Sequence, residues 1–179
     1  MDESGFMLQP VARRTWARRE RLRLAADYVA RQFASVPEVE RVVLFGSVAA
    51  RPDVEGRAPN TSGPVSRPPR DLDLAVWVSQ TGCMSALQQA RVEGLRRLFA
   101  DHEIGVAHHE VDVFIFSGEA YVGRLCLYGR CPREGKPECL EQGCGRVPLL
   151  RQDLRFRLRP DALDPACTVV LYRKPSEAD

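Results

Sequence analysis

Two short motifs carry residues that could bind a phosphorylated ligand together with metal ions. Gly46 and Ser47 follow the apolar run Val42–Phe45, and Asp71 and Asp73 stand at the start of a second apolar run. Alternate residues of a strand point to the same face, so the two carboxylates can be directed at one point. A glycine lets the backbone approach a phosphate closely, and a serine adds a hydroxyl donor. This combination is typical of a site for a metal-bound triphosphate.

A third carboxylate, Asp112, lies within the apolar run Val111–Phe116. Burying a charge is costly unless a metal or a partner satisfies it, so a functional role is indicated. Mg²⁺ prefers oxygen ligands, and two ions ~3.5–4 Å apart can clamp the attacking and leaving oxygens of a phosphoryl transfer. We predict that Asp71, Asp73 and Asp112 hold Mg²⁺ or Mn²⁺, with Glu110 as the reserve third carboxylate. Arg51 and Arg70 are further candidates for contacting the phosphates.

Hydrophobic periodicity predicts the elements that position these residues. Helices are expected over residues 10–34 and 84–100, and the second has as its apolar positions Met84, Leu87, Val92, Leu95, Leu98 and Phe99. The predicted strands are Val39–Phe45, Leu72–Val78, Val111–Phe116, Leu149–Leu158 and Thr168–Tyr172. Residues 52–70 contain five prolines and several small polar residues, so we predict a flexible loop there.

Composition limits the classes of protein to consider. The chain has 179 residues, of which 44% are hydrophobic, enough for one domain with a core and a small appendage. No apolar run approaches the ~20 residues that span a bilayer, and the N-terminus lacks a signal-peptide pattern, so we expect a cytoplasmic protein without membrane contact. The net charge of +2 gives no global electrostatic case for nucleic-acid binding.

Four of the six cysteines fall in one segment with the spacing C-x4-C-x7-C-x4-C: Cys126, Cys131, Cys139 and Cys144. Thiolates bind Zn²⁺ at ~2.3 Å in closed tetrahedral sites, and four cysteines indicate a structural site. Metal could supply the folding energy of a segment with few apolar residues. Disulfides are disfavoured in a reducing compartment. Cys83 and Cys167 are interpreted as small buried hydrophobes, and His102, His108 and His109 as surface or loop residues that could join a metal site.

The chain resembles the polymerase β-type nucleotidyltransferase superfamily, closest to its minimal stand-alone members. The resemblance rests on Leu44–Ser47, Asp71–Leu74 and Val111–Val113 and covers roughly residues 25–118. It implies an α+β fold with a mixed sheet and helices packed on it. It also implies that the three aspartates hold Mg²⁺, that Gly46 and Ser47 bind the triphosphate, and that a nucleoside monophosphate is transferred from an NTP, with ATP favoured.

The resemblance and the cysteine cluster together predict three parts. These are a nucleotidyltransferase domain over residues 1–118, a zinc-binding module over 119–147, and C-terminal strands over 148–179 that close onto the domain. One departure from the family is the long connection between the motifs, the 23 residues 48–70. A surface loop can absorb such an insertion at small entropic cost.

Three functions compete at this point. The leading interpretation is an enzyme whose acceptor hydroxyl belongs to a small molecule such as an aminoglycoside, a protein side chain or an RNA end, with a protein partner also conceivable. The second is a non-catalytic nucleotide- or nucleic-acid-binding module, or an antitoxin, on the same scaffold. The third is a nuclease or another two-metal phosphotransferase. The Gly-Ser turn before the aspartate pair favours triphosphate binding over this third class.

Overall fold

The computed structural model describes residues 17–50, 69–128, 147–152, 158 and 161–175. The helices in these ranges are α1 (Arg18–Phe33), α2 (Gly46–Ala49) and α3 (Met84–His102). The strands are β1 (Val39–Phe45), β2 (Leu72–Val78), β3 (Val111–Ser117), β4 (Ala120–Leu125), β5 (Leu150–Arg151) and β6 (Val169–Arg173). The predictions for residues 10–16 and 52–68, and for Cys131, Cys139 and Cys144, lie outside the described residues.

The strands form one mixed six-stranded sheet in the order β5-β4-β3-β2-β1-β6. β2 and β3 are parallel, and every other neighbouring pair is antiparallel. A parallel pair needs a crossover connection, and α3 provides it between β2 and β3. The expected α+β class, with a mixed sheet and helices packed on it, is confirmed.

One face of the sheet is covered by α1 and α3. Alternate residues of the central strands point to this face and are buried in the main core with the apolar stripe of α1: Leu72, Leu74, Val76, Val111, Val113, Ile115, Leu22, Ala26, Val29 and Phe33. The two helices also touch each other closely. A Cβ added at Gly94 of α3 would lie 2.8 Å from the Cα of Val29, so only glycine permits this approach.

The opposite face of the sheet carries a smaller apolar cluster and most of the aromatic contacts. Its buried members are Val43, Phe45, Ala75, Phe114 and Phe116. Trp77 and Phe116 stack with ring centroids 4.8 Å apart, and Arg41 lies 3.6 Å above the Trp77 ring. Leu158, Ala162 and Leu163 pack against the same cluster, so a C-terminal segment covers part of this face.

The structure confirms β1 and β2 with their predicted bounds and extends β3 by one residue. It corrects two other expectations. β4 was not predicted, although it pairs with β3 in the main sheet. The described part of the predicted strand Leu149–Leu158 contains only the two-residue β5.

The buried positions of α3 also differ from the prediction. Val92 and Phe99 are 38% and 59% exposed, whereas Gln88 and Arg91 are fully buried. The polar ends of Gln88 and Arg91 donate hydrogen bonds to backbone carbonyls of Cys126, Leu127 and Tyr128. These bonds satisfy the side-chain nitrogen of Gln88 and one guanidinium nitrogen of Arg91, whereas Oε1 of Gln88 and Nε and Nη1 of Arg91 are buried without a hydrogen-bond partner among the described residues. Among the described residues, no helix has the length and apolar character needed to cross a membrane.

Candidate active site

The three predicted carboxylates lie near one another on the sheet face opposite the helices, near the amino ends of β2 and β3. Asp73 of β2 is in register with Asp112 of β3, and Phe45 of β1 is in register with Asp73. Neighbouring strands are ~4.8 Å apart, and aligned residues point to the same side of a sheet. Asp71 precedes β2 and is exposed, and its charge acts on both other carboxylates. The structure therefore aligns Asp73 with Asp112 on neighbouring strands and places Asp71 near enough for its charge to act on both.

Gly46 borders this group on the side of β1. Its φ of 72° lies in the left-handed region, which residues other than glycine rarely adopt. A Cβ added at Gly46 would lie 2.3 Å from Oδ2 of Asp73, well inside contact distance. Ser47 follows in the short helix α2, and both residues are exposed. The predicted phosphate-binding pair is thus directly beside the Asp73 carboxylate.

Burial and mutual repulsion perturb two of the carboxylates. The pKa of Asp73 is raised from 3.8 to about 7, chiefly by burial and also by the charges of Asp112 and Asp71, and Arg124 opposes the shift. The pKa of Asp112 is also raised, chiefly by burial, against the lowering effect of Arg124. Carboxylates held side by side away from water favour a shared proton or a cation. Their oxygen atoms suit Mg²⁺ or Mn²⁺, which prefer hard ligands.

Among the described residues, these carboxylates do not form a complete metal-binding group. Within the described ranges, no three aspartate, glutamate, histidine or cysteine side chains are grouped so that they could hold a metal ion. Asp112 instead forms an ion pair with Arg124, with 3.5 Å between Oδ2 and Nη1. Asp73 and Asp112 carry like charges that repel each other, and the ion pair with Arg124 offsets part of this repulsion. The metal at this site therefore stays a prediction, supported by the type of donor atoms.

Arg124 is the residue of the site that sequence reasoning missed. It lies on β4 opposite Phe114, and it is itself directly opposite Arg151 of β5. Arg124, Arg151 and the buried Arg91 all act to lower the pKa of Asp112. A hairpin signal was present in the sequence, because the turn residues Gly118–Glu119 separate two runs with apolar residues.

Glu110 does not join the carboxylates. It lies in the 3₁₀ turn before β3, where one carboxylate oxygen accepts hydrogen bonds from Arg18 and Arg21, each 2.9 Å long. Its other oxygen accepts a hydrogen bond from the N–H of Ala107. Glu110 was the reserve candidate because residues two apart in a strand share a face, but it lies outside β3, so this alternation does not align it with Asp112. These contacts tie the start of α1 to the start of β3.

The other candidate side chains are exposed or lie beyond the described residues. Arg70 is exposed, and its backbone carbonyl accepts a hydrogen bond from Arg18. Arg51 lies outside the described residues. His102, His108 and His109 are exposed, and His102 contacts the hydroxyl of Tyr28 at 3.0 Å.

Of the four clustered cysteines, the structure describes Cys126 alone. Cys126 is 2% exposed and packs in the main core, and its N–H donates to the carbonyl of Leu149. Cys83 is buried as expected, whereas Cys167 is only half-buried. Because the other three cysteines lie outside the described residues, the Zn²⁺ site is still a sequence-based prediction.

Comparisons with known proteins add no further assignment. No family model, no curated protein and no solved structure matches the chain.

Proposed function

We propose that this chain is a nucleotidyltransferase that moves a nucleoside monophosphate from an NTP to a hydroxyl acceptor. The observation that supports this most is the contact between the Gly46 turn and the Asp73 carboxylate, with Asp112 aligned on the next strand. A triphosphate beside Gly46 would have its phosphates next to the carboxylates. The motif resemblance points to the same chemistry.

Each residue then has a definite task. The missing side chain of Gly46 lets phosphate oxygens approach the backbone, and the hydroxyl of Ser47 donates a hydrogen bond to them. Mg²⁺ or Mn²⁺ held by Asp71, Asp73 and Asp112 would neutralise the negative charge of the phosphates. Asp112, besides its role as a metal ligand, would accept the proton of the attacking hydroxyl.

The reaction forms one bond and breaks one. The acceptor oxygen attacks the α-phosphorus as it loses its proton to Asp112, and the bond to the β-phosphate oxygen breaks. Pyrophosphate leaves from the side of Gly46 and Ser47. No oxidant or reductant is needed, because the change is a transfer of a nucleotidyl group between oxygen atoms.

Binding and turnover measurements test this proposal. We expect calorimetry to detect Mn²⁺-dependent NTP binding by the wild-type chain, and we expect Asp71→Ala/Asp73→Ala to abolish it. Asp101→Asn is the matched control, because Asp101 is an exposed carboxylate on the helix side of the sheet. Labelled ATP should release pyrophosphate; release of phosphate would instead support the other phosphotransferases. Wild-type protein that binds no NTP in the presence of Mn²⁺ would refute the proposal.

We also propose that Cys126, Cys131, Cys139 and Cys144 hold a structural Zn²⁺. Their spacing and the thiolate preference of zinc support this assignment. We expect about one zinc per chain by elemental analysis of the purified protein, and a loss of that zinc in Cys139→Ser. Cys167→Ser is the control, because Cys167 lies outside the cluster in sequence. Zinc content that is unchanged in Cys139→Ser would contradict the assignment.

A further inference from the structure

We infer that Arg124 and Arg151 form a binding site for the acceptor, and that the acceptor carries a phosphate group close to the hydroxyl that is modified. This inference rests on the proposed function, whose NTP it uses to locate the acceptor. It gives the acceptor a chemical class, which the motifs alone leave open.

The first step is the position of the two arginines on the sheet. Arg124 and Arg151 are cross-strand partners, so their side chains project from the same face of the sheet. Arg124 also contacts Asp112, which fixes this face as the one that carries the carboxylates. The charged row thus runs from Asp73 to Asp112, Arg124 and Arg151 across β2, β3, β4 and β5.

The second step is the direction of attack. In phosphoryl transfer the attacking and leaving oxygens lie roughly in line on opposite sides of the phosphorus. The Gly46 turn, which would hold the leaving pyrophosphate, borders Asp73 from β1. The attacking hydroxyl must then approach from the side of Asp112. Among the described residues, Arg124 and Arg151 are basic groups on that side.

The third step is the charge of the arginine pair. Arg124 and Arg151 lie directly opposite each other, and each guanidinium carries five N–H donors, so Arg124 can pair with Asp112 and also donate to an anion that lies between the two arginines. Guanidinium groups bind phosphate through paired hydrogen bonds, so a phosphate suits two neighbouring arginines. A cationic acceptor, such as an aminoglycoside, would meet repulsion at the same place. The pair therefore selects a phosphorylated hydroxyl compound over a cationic one.

The experiment separates the acceptor site from the NTP site. Saturating α,β-methylene-ATP with Mg²⁺ occupies the triphosphate site and resists cleavage between the α- and β-phosphates. Ribose 5-phosphate is then titrated and its binding followed by calorimetry, with ribose and kanamycin as the uncharged and cationic comparisons. We expect ribose 5-phosphate to bind with a dissociation constant of about 1 mM or tighter, and ribose and kanamycin to bind at least about tenfold more weakly.

The variants Arg124→Gln and Arg151→Gln should each weaken ribose 5-phosphate binding at least about tenfold, as loss of a charge-assisted hydrogen bond predicts. Affinity for the methylene analogue should stay unchanged in Arg151→Gln. Arg151→Lys keeps the charge and should retain part of the binding. Arg97→Gln is the control, because Arg97 is exposed on α3 and pairs with Glu93.

Three results would overturn the inference: no binding of ribose 5-phosphate to the wild-type chain, binding that both glutamine variants leave intact, or kanamycin bound as tightly as ribose 5-phosphate. Thermal unfolding of each variant shows whether the fold is retained, and the wild-type titrations decide independently of any variant. If the wild-type chain fails to bind the methylene analogue, the proposed function fails. Ribose 5-phosphate binding that depends on both arginines would still show the anion site in that case.

Discussion

The two faces of the sheet differ: one packs against the helices to form the main core, and the other carries the candidate active site. The face under α1 and α3 is a continuous apolar surface with two helices that touch each other at Gly94. The opposite face combines a small aromatic cluster with a row of acidic and basic side chains. Burial of apolar surface stabilises the first face, whereas burial raises the pKa of Asp73 on the second. The same strands therefore present a stabilising side and a side that carries the proposed active site, because alternate residues point in opposite directions.

The largest effect on stability is expected from the helix-covered face. Phe33 is fully buried in the main core, so Phe33→Ala should lower the free energy of unfolding by about 3–5 kcal/mol. Urea unfolding measures the change. If the division between the faces is right, the NTP affinity of the protein that stays folded should match that of the wild type. A large change in that affinity would show that the faces are coupled.

Gly46→Ala tests the opposite face of the sheet, where we expect the main effect to be on turnover. The new Cβ would collide with the Asp73 carboxylate, and alanine disfavours the positive φ at this position. We expect turnover to fall by about 10²–10³-fold, the loss seen when a preorganised group at a reacting centre is displaced. Rates of pyrophosphate release measure this effect. Turnover within a few-fold of wild type would contradict the role given to the turn.

Asp73→Asn should change stability in a pH-dependent way when a chelator keeps divalent cations away. The pKa of Asp73 is raised from 3.8 to about 7 in the folded state, so ionisation above pH 4 increasingly destabilises the fold. Three pKa units correspond to about 4 kcal/mol, and screening by solvent reduces our expectation to about 2 kcal/mol. Unfolding experiments should find the variant equal to wild type near pH 4 and more stable above pH 7.

Added Mg²⁺ provides the control for this prediction. A cation bound to the carboxylates stabilises the folded wild-type chain by mass action, and the asparagine variant should gain less. A stability difference that is independent of pH would show that ionisation of Asp73 does not cause it.

The smallest effect is expected at Glu110. Glu110→Gln removes the ion pairs with Arg18 and Arg21, and we expect a loss of about 1 kcal/mol because both arginines are partly exposed to water. NTP binding should not change, since the side chain does not join the carboxylates. Thermal unfolding and calorimetry measure the two quantities. Loss of NTP binding would return Glu110 to the list of candidate ligands.

The sequence predicts the central strands better than it predicts how their residues align across the sheet. The bounds of β1 and β2 were predicted correctly because each is an apolar run that ends at residues favouring turns. The positions of Asp73 and Asp112 followed from side-chain alternation within such runs. Their alignment across a parallel pair depends on register, which is a tertiary property and is not visible in either segment alone.

The misses have local causes. β4 contains Gly123 and Arg124 and lacks a clear alternation, so its strand character comes from pairing with β3. Gln88 and Arg91 were not among the predicted apolar positions of α3, because the carbonyls that accept their hydrogen bonds come from a segment about 35 residues away in sequence. Arg124 was missed for the same reason, since its role follows from the neighbouring strand.

The position of β6 has a consequence for the order of folding. β6 pairs with β1, so Val42 is aligned with Tyr172, which lies 130 positions later in the sequence. During synthesis the strands β1, β2 and β3 can pair early and assemble Gly46, Asp73 and Asp112, while one edge of β1 still lacks its neighbour. An unpaired strand edge is a template for association with other chains. We therefore expect a stage during synthesis in which the proposed site is already assembled while the free edge of β1 can still pair with other chains, until residues 169–173 arrive.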